Sequence, residues 1–253
     1  MNTSWKNEYV LGAYQKDLIL PNILRLLEIK KGEVILDLAC GQGFFANEFH
    51  KQGARVAGLD ISKELIEIGK KSYPKIDLKV SPADKLAIPN SSVDKITIIL
   101  SIQNIENAEG VFKECYRVLK PSGKLLLVLN HPAFRIPKAS DWGWDSKNEV
   151  QYRRVDSYIS ESKNKIEMHP SAGSGQVPST RSGQVPGHKP SEYTLSFHRP
   201  LQFYFKALNK NNLRVSRLEE WNSHKKSEPG PRAAAENRAR KEIPLFLFIE
   251  AIK

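Results

Sequence analysis

The chain has 253 residues, of which 40% are hydrophobic and 26% are charged, and its formal net charge is +11. This composition predicts a soluble globular chain with one α/β domain and an elaboration. No apolar run approaches the roughly 20 residues that a membrane-spanning helix needs, and the first ten residues lack the apolar core of a signal peptide. We therefore expect a cytoplasmic protein.

The positive charge raises the question of a nucleic-acid partner, because phosphate contacts dominate that kind of binding. The lysines alternate with acidic residues on predicted solvent faces, however, and no basic run contains interleaved aromatic residues. We therefore attribute the charge to solubility and do not expect a nucleic-acid substrate. The two cysteines, Cys40 and Cys115, have neither a disulfide framework nor metal-ligand spacing, so we predict reduced thiols and no metal.

The first predicted element is an amphipathic helix over residues 18–30. Apolar residues recur at helical spacing in this segment, and Pro21 is tolerable only in a first turn. We expect this helix to pack on the edge of a sheet.

A predicted strand at residues 34–36 ends in Asp37 and leads into a glycine turn at residues 41–43, which opens a helix. Such a turn lets backbone approach a nucleotide closely, because glycine has no Cβ at the contact. Residues 41–46 also satisfy the loose dinucleotide pattern G-x-G-x-x-G/A, which is weak by itself. The carboxylate of Asp37 would repel a pyrophosphate but would suit the ammonium of an amino-acid group. Asp60 ends the next strand and is placed for two ribose hydroxyls in either ligand class.

The strand–helix alternation continues along the chain. A third strand is predicted in the segment IDLKVSPAD, residues 76–84, with Asp84 just past the strand, and a fourth strand over residues 93–100 is followed by a loop at residues 101–104. A helix over residues 106–119 is predicted to stop at a Lys-Pro-Ser-Gly sequence before a fifth strand. This is a fourth βαβ unit, and it predicts a parallel sheet.

Residues 37–43, DLACGQG, resemble motif I, D-x-G-x-G-x-G, of the class I S-adenosylmethionine-dependent methyltransferases. Ala39 stands where that family most often has glycine. The resemblance is strong over residues 32–130, and the later segments around residues 196–208 and 242–253 fit the closing helix and strand. It favours a methyltransferase over a nicotinamide-dependent enzyme.

The resemblance implies S-adenosyl-L-methionine as cofactor and an N-terminal segment that covers it. The acid after the third strand would meet the adenine amino group, and the next backbone amide would meet the ring nitrogen. The cofactor-binding residues predicted in this way are Tyr14, Lys16, Asp37, Ala39, Cys40, Gly41, Gly43, Asp60, Ile61, Asp84, Lys85 and Ser101.

The methyl acceptor should meet the cofactor at the loop 101–104. Enzymes of the family that methylate the exocyclic amine of adenine typically carry an Asn/Asp-Pro-Pro-Tyr/Phe clamp there, which this chain lacks, so we expect a small-molecule acceptor. The residues predicted to act on it are His131, Asn104 and His198. The residues predicted to bind it are Arg135, Trp142, Trp144, Arg199 and His224, with Arg232 as a further candidate for an anionic or carbonyl-bearing acceptor.

Residues 131–197 are predicted to form a cap insertion over the carboxyl edge of the sheet. Within it, residues 170–192 are rich in serine, glycine and proline and contain the sequence SGQVP twice, which predicts a disordered loop. Residues 196–200 are predicted to start a helix with Leu201, Tyr204, Phe205 and Leu208 buried. The sixth and seventh strands follow, joined by a charged connection.

The sequence thus predicts one α/β domain: a Rossmann-like, seven-stranded, mostly parallel sheet with helices on both faces, an antiparallel last strand and a cap insertion. The predicted reaction is transfer of a methyl group to a small molecule by in-line displacement. The alternatives are an RNA or protein methyltransferase, a nucleotide-binding oxidoreductase and a noncatalytic cofactor-binding module. The sequence leaves the acceptor and the oligomeric state open.

Overall fold

The structure is a computed structural model that describes residues 12–167 and 193–253. The predicted disordered loop at residues 170–192 lies outside the described residues. A seven-stranded sheet has the order β10-β11-β5-β4-β1-β2-β3. Strands β1 to β5 are parallel, and β11 is antiparallel to both of its neighbours, which confirms the predicted sheet. The strands are β1 (Val34–Leu38), β2 (Arg55–Asp60), β3 (Asp77–Val80), β4 (Val93–Ile99), β5 (Leu119–Asn130), β10 (Arg214–Trp221) and β11 (Phe246–Ile252).

Helices cover both faces of this sheet. A π-helical turn (Gln15–Ile19) leads into α1 (Leu20–Leu27), and the later helices are α2 (Phe44–Lys51), α3 (Lys63–Ser72), α4 (Ala108–Val118), α5 (Leu201–Lys210) and α6 (Ala233–Glu242). The run of five apolar residues at 125–129 in β5 serves both faces, because successive side chains point in opposite directions. Leu125, Leu127 and Leu129 pack with α4 and α5, whereas Leu126 and Val128 pack with α1 and α2.

The prediction that the first helix packs on the sheet edge is wrong. Ile23 and Leu27 of α1 are buried in one cluster with Ile35 of β1 and Phe248 of β11, which lie in the interior of the strand order. The helix therefore covers a face of the sheet, because its apolar stripe is wide enough to bridge several strands.

Two boundaries in the second half of the chain differ from the sequence prediction. Residues 196–198 are the end of strand β9 (Tyr193–His198), and Pro200 is the N-cap of α5. Phe205, which was predicted to be buried, is exposed, and Ala207 is buried instead. Helix α4 ends at Val118, so Leu119 already pairs with β4 before the predicted stop.

The predicted cap segment forms two small antiparallel sheets in its described part. One is a hairpin of β6 (Ser140–Asp145) and β7 (Val150–Val155), and the other pairs β8 (Ser162–Glu167) with β9. The charged connection before the last strand contains α6, which the sequence prediction missed. Among the described residues, no helix is both long enough and apolar enough to cross a bilayer.

Lys95 joins α1 to the sheet. Its side chain is buried in β4, and its Nζ donates to the carbonyl oxygens of Leu27 and Glu28 at 2.7 and 3.2 Å and to Glu33 Oε2 at 2.7 Å. Glu28, the C-cap residue of α1, is in the left-handed region with φ 45°. The ammonium therefore satisfies carbonyls that the helix leaves unpaired at its end.

We expect Lys95→Met to lower the free energy of unfolding by about 3 kcal/mol, because it leaves two carbonyls and a carboxylate without their donor. Urea denaturation measures the loss. The matched control is Lys51→Met, which removes an exposed ion pair with Glu48 and should cost under about 0.5 kcal/mol. Equal losses in the two variants would contradict the capping role.

Candidate active site

Strands β1, β2 and β4 end at the same edge of the sheet, and the glycine turn follows β1 there. Ala39, Gly41 and Gly43 all have positive φ, at 53°, 58° and 82°. The positive φ explains the usual glycine at the position of Ala39, because a Cβ in this region costs roughly 1 kcal/mol. A Cβ added at Gly41 would meet nothing within 4 Å, so the backbone of the turn faces open space in which a ligand can approach.

The carboxylate of Asp60 holds this turn in place. Its Oδ2 accepts from the Gly41 amide at 2.8 Å and its Oδ1 from the Ser62 amide at 2.9 Å. Each carboxylate oxygen has a further lone pair, so Asp60 can also accept from two hydroxyl groups. Ile61, next to it, is 75% exposed and offers an apolar surface beside the carboxylate.

Asp37 lies at the end of β1 and is 1% exposed. Its Oδ1 accepts from Thr97 Oγ1 at 2.8 Å, and its Oδ2 has no hydrogen-bond partner among the described residues. Burial raises the pKa of Asp37 to about 7, and the hydrogen bond from Thr97 opposes the shift. A cationic group that reached this oxygen would stabilise the carboxylate, because it would restore the interaction lost on burial.

The remaining predicted cofactor residues lie on neighbouring loops. Asp84 Oδ2 accepts from Asn107 Nδ2 at 2.8 Å, and Lys85 is exposed. The Oγ of Ser101 is buried without a partner among the described residues. Burial raises the pKa of the Cys40 thiol, whose Sγ lies 3.7 Å from the Gly41 carbonyl oxygen, so this thiol is neutral.

The N-terminal segment contacts residues near the ends of β5 and β10, at the same edge of the sheet as the glycine turn. The Tyr14 ring is 3% exposed, its hydroxyl lies 3.0 Å from Ser223 Oγ, and the ring meets His224 edge-on with centroids 5.2 Å apart. Lys16 is exposed. Tyr14 also contacts Phe246, which pairs with Asn130 at the end of β5. Tyr14 thus lies at the ends of these strands.

The residues predicted to act on the acceptor differ in their burial and in their hydrogen-bond partners. Nδ1 of His131 accepts from the Ala133 amide at 3.2 Å, so Nε2 carries the proton and donates to Glu220 at 2.7 Å. Burial lowers the pKa of His131, although Glu220 opposes this. The neutral imidazole therefore has both nitrogens bonded to the protein. Asn104 has an exposed side chain with no hydrogen-bond partner among the residues described.

Two further candidates bond to backbone near the loop after β4. His198 Nε2 donates to the Tyr158 carbonyl at 2.8 Å. Arg199 is buried, and its Nη2 donates to the carbonyls of Ile105 and Glu106 at 3.0 and 2.7 Å. Arg199 thus binds the backbone that follows the acceptor loop, and its Nη1 is buried without a hydrogen-bond partner among the described residues.

The tryptophans of β6 each lie beside an arginine. Arg153 Cζ is 5.2 Å from the centre of Trp142, and Arg232 Cζ is 4.7 Å from the centre of Trp144. Both rings are half-buried. Cation–π contacts therefore help to hold the cap together, one within the β6–β7 hairpin and one between the hairpin and the N-cap residue of α6.

Sequence reasoning missed several residues that support the site. A Cβ at Gly69 of α3 would lie 2.5 Å from the carbonyl oxygen of Gln42, so glycine is needed for the helix to pack against the turn. Thr97 of β4 and Glu220 of β10 hydrogen-bond predicted site residues that lie 60 and 89 residues away in the sequence. The isolated glycine in the α3 pattern was the one available signal.

Residues 36–127 match the family model described as a methyltransferase domain. This part of the chain therefore has the sequence of a methyltransferase domain. S-adenosylmethionine is the cofactor that this domain implies, and the residues present fit it: Asp37 Oδ2 suits an ammonium, and Asp60 beside the open turn suits ribose hydroxyls.

Curated relatives and solved structures are similar to this chain. It is 29% identical over 113 residues to a demethylmenaquinone methyltransferase of Streptomyces avermitilis, covering 44% of this chain and 49% of the relative. It is 35% identical over 130 residues to one from Lactobacillus johnsonii, covering 47% and 52%. The chain therefore spans about half the length of these curated relatives.

The likeness to solved structures extends over most of the chain and shows the fold. An S-adenosylmethionine-dependent methyltransferase of Mesorhizobium loti has a TM-score of 0.69 at 22% identity and covers 97% of this chain and 100% of its own. A putative one from Listeria monocytogenes has a TM-score of 0.65 at 23% identity and covers 91% and 97%.

We expect Asp60→Ala to weaken S-adenosylmethionine binding by about 2–3 kcal/mol, because the ribose would lose a charged acceptor and the amides of Gly41 and Ser62 would each lose a hydrogen bond. Calorimetric titration measures the loss. Asp77→Ala is the matched control, since that exposed carboxylate only pairs with Lys79. Unchanged affinity in a folded Asp60→Ala variant would refute the assignment.

We expect Asp37→Asn to change the pH dependence of stability in the cofactor-free protein. The folded pKa of about 7 lies above the unfolded value of about 3.9, so the wild type loses stability as pH rises between these values. Asparagine cannot ionise, so the stability of the variant relative to wild type should increase by about 4 kcal/mol from pH 4 to pH 8. Urea denaturation over this range tests it, and a difference independent of pH would contradict it.

Proposed function

We propose that the protein transfers the methyl group of S-adenosylmethionine to a small-molecule acceptor. The observation that carries the proposal is the arrangement of Asp37 and Asp60 on either side of a turn with three positive-φ residues. This arrangement offers carboxylates to an ammonium and to ribose hydroxyls, and it leaves the backbone between them open to close approach.

When bound, the cofactor supplies an activated methyl group on sulfur, which an acceptor nucleophile displaces in line. The chain's own contribution is position and exclusion of water. Asp60 orients the cofactor through its ribose, and Tyr14 covers the strand ends. Asn104, at the acceptor loop, offers an amide to orient the acceptor. His131 is held neutral between Ala133 and Glu220, and its one basic lone pair, on Nδ1, accepts from the Ala133 amide, so a role as general base would require that hydrogen bond to open.

Three observations support a small acceptor. The loop 101–104 carries no Pro-Pro clamp for a planar nucleobase amine. The cap contributes two half-buried tryptophans near this edge, which suits an enclosed acceptor. The curated relatives of the domain are named as methyltransferases of a quinone precursor, a small molecule. We infer that the acceptor is a molecule of about that size, and that the residues of the cap determine which molecule is bound.

The basic charge keeps methylation of RNA as the second candidate. An RNA methyltransferase would bind RNA with a steep salt dependence, because each phosphate contact releases counterions. Incubation with labelled S-adenosylmethionine and either total RNA or a small-metabolite extract separates the candidates. We expect label in the extract fraction, with Gly41→Val as the inactive control. Label in RNA alone would overturn the choice, and binding of NADH in place of S-adenosylmethionine would overturn the proposed cofactor.

A further inference from the structure

The chain leaves β4 through a residue in the left-handed region. Leu100 directly follows Ile99, the last residue of the strand, and has φ 56°. Among the described non-glycine residues with positive φ, Leu100 alone carries a large apolar side chain. A Cβ disfavours this region, and residues held in it cluster at functional sites, where the surrounding structure fixes them. Leu100 directly precedes the acceptor loop at residues 101–104.

Hydrogen bonds hold both polar backbone groups of Leu100. Its amide donates to the Val128 carbonyl at 2.6 Å and so continues the pairing of β4 with β5 beyond Ile99. Its carbonyl oxygen accepts from Gln103 Nε2 at 2.8 Å. The second bond joins the carbonyl to a side chain three residues later, so it closes the turn that the positive φ begins.

The side chain of Gln103 is buried with one polar atom unpaired. The residue is 9% exposed, and its Oε1 has no hydrogen-bond partner among the described residues. The orientation of the amide is fixed, because only its nitrogen can donate to a carbonyl. An apolar side chain of similar length would avoid the cost of the unpaired oxygen, so the contribution of the amide to this turn is its donor.

The turn sets the position of two predicted site residues. Ser101 follows Leu100 directly, and the Asn104 amide donates to the Ser101 carbonyl at 2.8 Å in a short 3₁₀ helix (Ile102–Asn104). Ile102 is buried in the apolar cluster that contains α4. A change in the backbone dihedral angles of Leu100 would therefore shift Ser101 and Asn104 together relative to the strand ends.

We propose that Gln103 is a positioning residue for methyl transfer. By binding the Leu100 carbonyl, it keeps Leu100 left-handed and holds the acceptor loop where the acceptor meets the cofactor. Without this bond, Leu100 relaxes toward the extended region that a leucine prefers, and the loop moves with it. The inference rests on the proposed function and adds to it a residue that acts through the backbone of the loop.

Hydrogen exchange of the loop amides tests the turn itself, with mass spectrometry of peptides that span residues 99–106. Gln103→Met removes the donor at similar length, and we expect about tenfold faster exchange, which corresponds to about 1.4 kcal/mol. Leu100→Gly makes the left-handed region accessible without the bond. In the Leu100→Gly background, Gln103→Met should therefore change the exchange rate less than about twofold.

Transfer of label from S-adenosylmethionine tests the role of the turn in the reaction. The rate is measured at saturating cofactor, in whichever fraction, small-metabolite extract or RNA, the wild type labels. Gln103→Met should lower this rate by about tenfold, because a displaced loop misplaces the acceptor. Calorimetry should show the Kd for S-adenosylmethionine changed less than about threefold, since Asp60 and the glycine turn are untouched.

A second-site variant and a control separate positioning from a general loss of structure. Adding Leu100→Gly to Gln103→Met should return the rate to that of the Leu100→Gly single variant, a recovery that a merely structural role of Gln103 does not give. Gln52→Met, at the exposed C-cap of α2, is the matched control and should leave both exchange and transfer unchanged.

The outcomes distinguish this inference from the proposed function. Failure of the wild type to bind S-adenosylmethionine or to label either fraction refutes the proposed function, and the exchange experiment still tests the turn. Unchanged exchange in Gln103→Met, or equal changes in both backgrounds, overturns the inference. Undiminished transfer in Gln103→Met, or a rate that stays low after Leu100→Gly is added, also overturns it. If Gln103→Met does not fold, Gln103→Asn replaces it, because that amide is one methylene too short to reach the Leu100 carbonyl.

Discussion

The carboxylate of Asp60 connects the end of β2 to the turn after β1, and the site depends on this connection. By accepting from the amides of Gly41 and Ser62, it fixes where the turn begins relative to the next helix. Gly69 completes the constraint from α3, since it lets that helix lie against the carbonyl of Gln42. The open backbone at Gly41 is therefore a product of two neighbouring strand–helix units and of no single motif.

The parallel part of the sheet could be predicted because each of its units is local. A buried strand, a turn and an amphipathic helix follow one another within about 30 residues, so the pattern of apolar residues reports all three. Strand β9 was missed because its partner β8 is defined only by pairing across a long separation in sequence. Helix α6 was missed because its buried stripe consists of Ala235 and Ala239, which hardly mark a hydrophobic face.

The strand ends that carry the predicted cofactor residues could be placed from the sequence, because Asp37, Gly41 and Asp60 come from two adjacent strand ends whose positions follow from the parallel order. The surroundings of the predicted acceptor residues could not be placed in this way. Tyr14 and Ser223 are 209 residues apart and meet only through tertiary packing, and His131 and Glu220 likewise come from distant parts of the sequence. No local pattern in the sequence reports such contacts.

The contact of Lys95 with the end of α1 has a mechanical consequence. Because the ammonium binds Leu27, Glu28 and Glu33, the C-terminal end of the helix is fixed to the amino-terminal part of the sheet. Tyr14 lies at the other end of the same continuous helical segment, above the strand ends. One helical segment therefore connects the two edges of the sheet, and we expect a change at Lys95 to affect the position of Tyr14 at the strand ends.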